Sequence, residues 1–489
     1  MTVQQPYYQP PKKSSATWWI IGGCGVVLVL AALCVCGFFV LGGAALLSVE
    51  PSAPVISHVT PTPASGQPTA EAAQPTSTPE PTVPLEPTDT PQPTTTPFPL
   101  GETVSFADWD YMVTEATSMR TIGDQSPRGV YVVALVQVTN QGATERSIGG
   151  DFFVARDAQG RLYEMDGDAS LEYHNVHDMA YWHLDDIGPT FTGIVPVVFD
   201  VSPDASSVLL GVAGVNEPTI LLVENVGGEP LALPEEPLSA ADWAYVITDV
   251  STAGTIGSMV ARGQYVAIIL TVRNDSLSPR ELGSDFFVLK DGEGRTYEMD
   301  SDASLEHHNA LDTDAWHLET LGPSLVGTVP VVFDVSPDAT NLALHAKRGD
   351  AEAVLVLDAV GGQPIELAGE VHTAGNWQFA LQEVSTVSSI GDEMAEGQFL
   401  VVILQVKNLA PTQQDLGSET FTLKDTQGRA YELDTDASLE YHHTFDTDAW
   451  HLESIGPSLK GTVPLVFDVA TDASGFVLVT QEGAEVSLQ

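Results

Sequence analysis

Acidic residues and histidines recur together at three places in the chain, 134 residues apart. Residues 164–187 contain seven Asp or Glu, three His and no Lys or Arg, and residues 298–321 and 432–455 have the same counts. Carboxylate oxygens are the ligands that Ca²⁺ prefers, and imidazoles combined with a carboxylate suit Zn²⁺. Cation binding is therefore the chemistry that these segments could support.

The candidate ligands occupy equivalent positions in the three segments. The predicted oxygen ligands for Ca²⁺ are Asp166, Asp168, Glu172, Asp300, Asp302, Glu306, Asp434, Asp436 and Glu440. Only for a transition metal such as Zn²⁺ would histidines join them, namely His174, His183, His308, His317, His442 and His451. Each segment would then hold one cation.

A solvated acidic loop is the alternative to a metal site. Asp300, Asp302 and Ser304 resemble the start of an EF-hand loop, but Leu305 stands where that loop needs Gly. The segment is therefore not an EF-hand. In the alternative without a cation, residues 168–172 cap a single helical turn and Trp182 packs on the domain. The sequence leaves Ca²⁺, a transition metal and the solvated loop open.

Enzyme signatures are missing from the sequence. It has no Gly-x-Ser-x-Gly elbow, no His-Glu-x-x-His and no phosphate-binding or dinucleotide-binding glycine motif. The three cysteines are Cys24, Cys34 and Cys36, so the rest of the chain has no cysteine nucleophile. A glycosidase needs one shaped cleft with two carboxyl groups, which three equal small domains do not suggest. We expect a non-catalytic protein.

The charge balance excludes nucleic acid as a partner. The 489 residues include 18 Lys or Arg against 66 Asp or Glu, a formal net charge of −48. Such a surface repels a phosphate backbone. A high-salt habitat would also favour this composition.

The N-terminal part of the chain is predicted to anchor it in the cell membrane. Residues 18–47 carry no charge, and a helix of that length reaches about 45 Å, more than the roughly 30 Å of a bilayer core. Lys12 and Lys13 precede it, which places residues 1–17 in the cytoplasm and everything after the single span outside. A cleaved signal peptide and a lipoprotein attached through Cys24 are the alternatives.

A disordered linker is predicted at residues 48–100. Residues 51–100 hold 14 Pro and 11 Thr and no Lys or Arg. Such a segment cannot bury apolar area and favours extended polyproline II. It would act as a spacer, and its composition also suits O-glycosylation.

Three tandem domains follow, predicted at 101–235, 236–370 and 371–489. Trp109, Trp243 and Trp377 are each 134 residues apart, and so are many other residues. Within each unit the apolar residues alternate, as in Val130–Val138. Turns such as 157–160, which begin with Asp and end with Gly, indicate hairpins. We count seven to nine short strands per unit, which predicts an all-β fold of antiparallel β-sandwiches.

Proline interrupts the same strand of each predicted domain. Pro196, Pro330 and Pro464 lie at equivalent positions inside apolar runs. Because proline cannot donate a backbone hydrogen bond, the pattern predicts an edge strand or a bulge.

Three motifs follow one another in a fixed order, clearest at Ile269–Asn274, Phe287–Tyr297 and Leu321–Val335. Their order resembles an uncharacterised immunoglobulin-like domain family of bacterial lipoproteins and membrane-anchored surface proteins. The resemblance implies three immunoglobulin-like domains without catalytic residues. The acidic segments are a departure from it.

Two functions fit these expectations. The first is an extracellular binding array that contacts a cell-wall polymer, a glycan or a surface protein. The second is a structural spacer of the cell envelope, stiffened by Ca²⁺. Exposed aromatic residues at equivalent positions would favour the binding array. Tight contacts between domains, with carboxylates meeting at the junctions, would favour the spacer.

Overall fold

A computed structural model describes residues 97–214, 219–348 and 353–488. The predicted cytoplasmic tail, membrane span and nearly all of the predicted linker lie outside these ranges. Among the described helices, none is both long and apolar enough to cross a membrane.

Within the described residues, each repeat contains eight strands. In repeat 1 they are β1 (Val104–Phe106), β2 (Trp109–Met119), β3 (Val130–Asn140), β4 (Phe153–Arg156), β5 (Leu162–Glu164), β6 (Thr192–Val201), β7 (Ser206–Val212) and β8 (Ile220–Asn225). In repeat 2 they are β9 (Leu238–Ala240), β10 (Trp243–Ile256), β11 (Met259–Asn274), β12 (Phe287–Lys290), β13 (Thr296–Glu298), β14 (Val326–Val335), β15 (Thr340–Ala346) and β16 (Val354–Ala359). In repeat 3 they are β17 (Val371–Ala374), β18 (Trp377–Ile390), β19 (Glu393–Asn408), β20 (Phe421–Lys424), β21 (Ala430–Tyr431), β22 (Lys460–Val469), β23 (Val477–Thr480) and β24 (Glu485–Ser487).

The strands form two antiparallel four-stranded sheets in every repeat. In repeat 1 the orders are β1-β2-β3-β6 and β5-β4-β7-β8, and repeats 2 and 3 have the same orders. Alternate residues of β3, such as Val132 and Val136, share one buried core with Phe153 and Leu210 of the facing sheet. The prediction of three antiparallel β-sandwich repeats is confirmed. So is the edge position of Pro196, since β6 pairs only with β3, where Leu135 is its partner.

The acidic segments differ from the prediction, because each contains a helix of about three turns. These three loop helices span Gly167–Val176, Ser301–Leu311 and Thr435–Phe445. Their N-caps are Asp166, Asp300 and Asp434, so the expected single turn capped from Asp168 was wrong.

Packing on the sheet explains the greater length of the loop helices. Ala303 lies in a buried cluster with Tyr265 and Val332 on the outer face of one sheet. Ser304 Oγ donates to the Asp300 carbonyl (2.6 Å) and accepts from the Val332 backbone N–H (2.9 Å). Tertiary contacts supply most of the stability of short helices. The sequence of the segment alone therefore underestimates the length of this helix.

Candidate functional site

Two residues at the same place in each repeat form the basis of the contacts between repeats. We call them the junction pair: Arg128–Gly129 in repeat 1 and Arg262–Gly263 in repeat 2. The backbone N–H groups of Arg128 and Gly129 donate to Asp200 (2.7 and 2.9 Å), and those of Arg262 and Gly263 donate to Asp334 at the same distances. A Cβ on Gly129 would lie 2.1 Å from the Val201 carbonyl oxygen. Only glycine therefore fits at this position.

The arginine of each junction pair binds the next repeat in a segment that we call the acceptor loop, residues 314–325 in repeat 2 and 448–459 in repeat 3. Arg128 Nη2 donates to Glu319 Oε1 (2.5 Å) and to the Asp314 carbonyl. Arg262 donates to the carbonyls of Asp448 (2.7 Å) and Ser454 (3.2 Å) and to the Glu453 carboxylate.

Apolar and backbone contacts complete each junction. Leu325 and Leu459 of the acceptor loops are only 2% exposed. Their Cδ2 atoms lie beside Gly129 and Gly263, where a side chain would collide with them. The Thr296 N–H also donates to the Pro411 carbonyl across the second junction (2.7 Å). The same packing therefore occurs twice along the chain.

An acidic cavity of about 520 Å³ lies at the second junction. Asp300 and Asp302, two of the predicted ligands, line it with Asp334, Glu298, Asp448 and Glu453, and Arg262 is the basic residue among them. Burial raises the pKa of Asp334 and Asp300, and Arg262 opposes both shifts. At the first junction, burial raises the pKa of Asp200 to about 6, and the nearby Asp166 carboxylate adds to the effect. These junctions therefore gather carboxylates around one guanidinium.

The other predicted ligands of repeat 2 lie apart from this cavity. Glu306 faces the turn before β11, where the Ser258 N–H approaches its Oε1 at 3.4 Å. His308 Nδ1 hydrogen bonds to Thr313 Oγ1 (2.7 Å). One carboxylate oxygen of Asp300 accepts from the Ala303 N–H, as an N-cap does. The predicted ligand set is thus divided between different contacts.

The outer repeats divide their predicted ligands in the same way. Asp166 and Asp434 cap their helices. Glu172 and Glu440 lie against Gly123 and Gly391. His442 bonds to Thr447 (2.8 Å), and the His174 ring lies 3.4 Å from Asn175 Oδ1.

Cation binding stays a prediction. Within residues 97–214, 219–348 and 353–488, no group of three or more His, Cys, Asp or Glu is placed so that it could hold a metal ion. Calorimetric titration of the chain with Ca²⁺ and with Zn²⁺ would test the prediction, which requires one equivalent of cation for each repeat.

The second histidine of each predicted set is a core residue. His183 is 3% exposed, and His317 and His451 are fully buried. Among the described residues, neither ring nitrogen of His317 or of His451 has a hydrogen-bond partner. Burial lowers the pKa of both residues to about 4, so they are neutral at pH 7. The sequence assigned packing on the domain to Trp182, which is only half-buried, whereas the following His183 is the buried residue.

Sequence reasoning missed a network of polar residues in the β4–β5 hairpin. Asp157 accepts hydrogen bonds from Arg161 Nε (2.6 Å) and from the Tyr163 hydroxyl (3.0 Å), and Arg161 also binds Asp204 (2.9 Å). Asp291 and Asp425 are the centres of the same network in repeats 2 and 3. We call each of these a hairpin network. The spacing Asp-x-x-x-Arg-x-Tyr, repeated every 134 residues, could have revealed it.

The junction pairs were also missed. Their signal in the sequence is Arg-Gly at 128–129 and 262–263, followed by Glu-Gly at 396–397. Comparing the three repeats at these positions would have identified a role that the third copy does not share.

A comparison with protein-family models agrees with the repeat architecture. A family model described as "Domain of unknown function (DUF4352)" matches residues 98–215, 234–352 and 367–488. A crystal structure of a conserved hypothetical protein from Bacillus anthracis is similar at 15% identity, covering 24% of this chain and 92% of its own, with a TM-score of 0.22. No curated protein matches the chain.

Proposed function

We propose, from the premise that this chain belongs to the DUF4352 domain family, that it is a non-catalytic structural array of the cell envelope. In this array the repeats are docked in series outside the cell and are tethered to the membrane by residues 18–47. Its task is to hold the repeats at fixed positions relative to one another.

The observation that carries the proposal is the pair of matching junctions. Each joins an arginine to an acidic acceptor loop and buries a leucine against a glycine. Independent binding modules connected by flexible linkers do not need such contacts. Contacts in which apolar packing and charge pairs coincide restrict motion between domains.

Distances between the repeats provide the first test. Spin labels at the exposed positions Thr248 and Gln382, in a chain whose three native cysteines are replaced by alanine, would report the separation of repeats 2 and 3. We expect a narrow distance distribution that Arg262→Glu broadens. Arg280→Glu is the matched control, because Arg280 forms an exposed ion pair with Asp242 of its own repeat. A broad distribution before any junction substitution would contradict a fixed array.

Protease treatment of intact cells tests the placement of the array. The uncharged stretch at 18–47, with Lys12 and Lys13 before it, supports an anchor whose C-terminal side lies outside. External protease should remove the three repeats. Repeats that remain intact until the cells are lysed would contradict the extracellular placement.

A specific observation favours a binding role as the second candidate. Leu184, Leu318 and Leu452 occupy equivalent positions and are 49%, 38% and 42% exposed. Apolar contacts repeated three times suit a ligand with repeating units, such as a cell-wall polymer, because linked weak contacts gain from effective concentration. Isolated cell walls should then retain the chain, and replacing all three leucines with serine should release it.

A further inference from the structure

The acceptor loop of repeat 1, residues 180–191, has the features of the two acceptor loops that are covered. Asp185 stands where repeats 2 and 3 have Glu319 and Glu453, and Asp186 adds a second carboxylate. Phe191 stands at the position of Leu325 and Leu459. Whereas those leucines are 2% exposed, Phe191 is 64% exposed. In the part of the chain that the structure describes, no repeat precedes this loop to cover it.

The opposite end of the array has a junction pair of reversed charge. Glu396 and Gly397 donate their backbone N–H groups to Asp468 (2.5 and 3.0 Å), as Arg128 and Gly129 do to Asp200. The backbone geometry is therefore kept, but the side chain is an exposed carboxylate instead of a guanidinium. Glu396 cannot donate to an acceptor loop, and it would repel the acidic residues there.

A second copy of this chain is thus a poor occupant for the open acceptor loop. The guanidinium groups of Arg128 and Arg262 are already engaged within the chain. The third junction pair would bring Glu396 against Asp185 and Asp186, and like charges placed together at an interface suppress association. The missing component is a junction pair with arginine.

We infer that the acceptor loop of repeat 1 is a docking surface for a domain of the same family, carried by a different chain, whose junction pair is Arg–Gly. The arginine would bind Asp185 and backbone carbonyl groups of the loop, while Phe191 packs on the glycine. Two junctions in this chain set the precedent for the contact, and the exposed aromatic ring is the kind of residue that anchors interfaces. The inference goes beyond the proposed function, because it concerns a face that the array itself leaves open.

Charge reversal at the C-terminal end tests the inference without knowledge of the natural partner. The variant Glu396→Arg of the full chain supplies an Arg–Gly pair on one end and the open acceptor loop on the other. Such a head-to-tail contact is heterologous, so it should produce oligomers, either closed rings or an open series. In detergent solution, we expect sedimentation to give a weight-average mass that rises with concentration to at least twice that of the wild-type chain. The double variant Glu396→Arg/Phe191→Leu restores the leucine of the covered loops and should associate at least as strongly.

Two controls identify the surfaces involved. Glu393→Arg makes the same charge change on the same strand, away from the junction pair, and should leave the mass at its wild-type value. Adding Phe191→Asp to Glu396→Arg should abolish association. The inference is wrong if neither Glu396→Arg nor its double variant associates. That result is expected if another segment of the chain covers the loop. It is also wrong if Glu393→Arg associates equally well or if Phe191→Asp has no effect.

Discussion

The hairpin networks of repeats 2 and 3 contain the same bonds in different surroundings. Arg295 Nε lies 2.5 Å from Asp291, and Arg429 Nε lies 2.6 Å from Asp425. Yet the Arg295 side chain is 8% exposed and that of Arg429 is 33% exposed. Repeat 3 approaches the network of repeat 2, where the Thr296 N–H donates to the Pro411 carbonyl. The equivalent residue beside the network of repeat 3, Ala430, is exposed.

This difference teaches that hydrogen-bond geometry alone does not set the energetic importance of an ion pair. The local sequence, Asp-x-x-x-Arg-x-Tyr, fixes the partners and distances in every copy. The neighbouring repeat decides how much water reaches them. A charge that loses its partner is costly where it is buried and far less so where it can be hydrated.

Removing the central carboxylate of a covered hairpin network should have the largest effect. Asp291→Ala leaves the buried Arg295 without its main partner, and we expect it to lower the free energy of opening of repeat 2 by about 3–5 kcal/mol. Asp425→Ala should lower the free energy of opening of repeat 3 by clearly less, because the Arg429 side chain reaches solvent. Hydrogen exchange measured by mass spectrometry on the full chain resolves the repeats. Equal losses in both repeats would show that the neighbour does not matter.

Acid should destabilise repeats 2 and 3 equally through their buried histidines. Burial lowers the pKa of His317 and His451 from 6.5 to about 4. Between these values the unfolded chain binds a proton that the folded chain does not, so stability falls as the pH is lowered from about 6.5 to about 4. The loss is about 3 kcal/mol per histidine.

Apolar replacement of each histidine isolates this effect. The raised pKa of Asp334 acts in the opposite direction, so the wild-type pH profile contains both contributions. His317→Leu in repeat 2 and His451→Leu in repeat 3 should each flatten the pH dependence of hydrogen exchange in their own repeat. An effect confined to one repeat would mean that the junction, rather than the sandwich core, lowers the pKa of these histidines.

Reversing the charge of a junction pair should make the end of repeat 2 resemble that of repeat 3. Arg262→Glu places a carboxylate against Glu453 and should reduce the protection of the Thr296 amide by about 2 kcal/mol. Arg280→Glu again serves as the charge-matched control. Unchanged protection at Thr296 in the Arg262 variant would show that the arginine does not hold the junction together.

An exposed ion pair should have the smallest effect. Arg348 and Asp285 lie 2.9 Å apart, but their side chains are 63% and 62% exposed. Arg348→Ala should therefore lower the free energy of opening of repeat 2 by no more than about 0.5 kcal/mol. Hydrogen exchange of repeat 2 measures this change. A loss as large as that caused by Asp291→Ala would indicate that charge, and not burial, distinguishes the networks.

Features that depend on neighbouring residues in the chain could be predicted from the sequence. The alternation in β3 indicated its inward and outward residues. The turn at 157–160 also has the expected form, because Gly160 has a φ of 83° and its N–H donates to the Asp157 carbonyl. The proline of β6 indicated an edge strand. These patterns are local because side-chain period and turn conformation are properties of a few consecutive residues.

The position of the predicted ligands could not be predicted in this way. Asp302 and Glu306 are close in sequence, but the loop helix directs one toward the junction cavity and the other toward the turn at Ser258. His317 belongs to the same predicted set, yet its side chain is fully buried. Clustering of residue types along the chain therefore did not become clustering in space.

The sequence by itself determined the three repeats, their β-sandwich class and the strong acidity of the chain, because repetition, alternation and charge are written residue by residue. Only the tertiary structure decided which acidic residues meet, which histidines are buried and which ends of the repeats are covered. The physical reason is that burial and electrostatic strength depend on what packs against a group. The partners of Arg128 and Arg262 belong to another repeat, roughly 190 positions away in the chain. For Glu396, no repeat in the described part of the chain supplies such a partner.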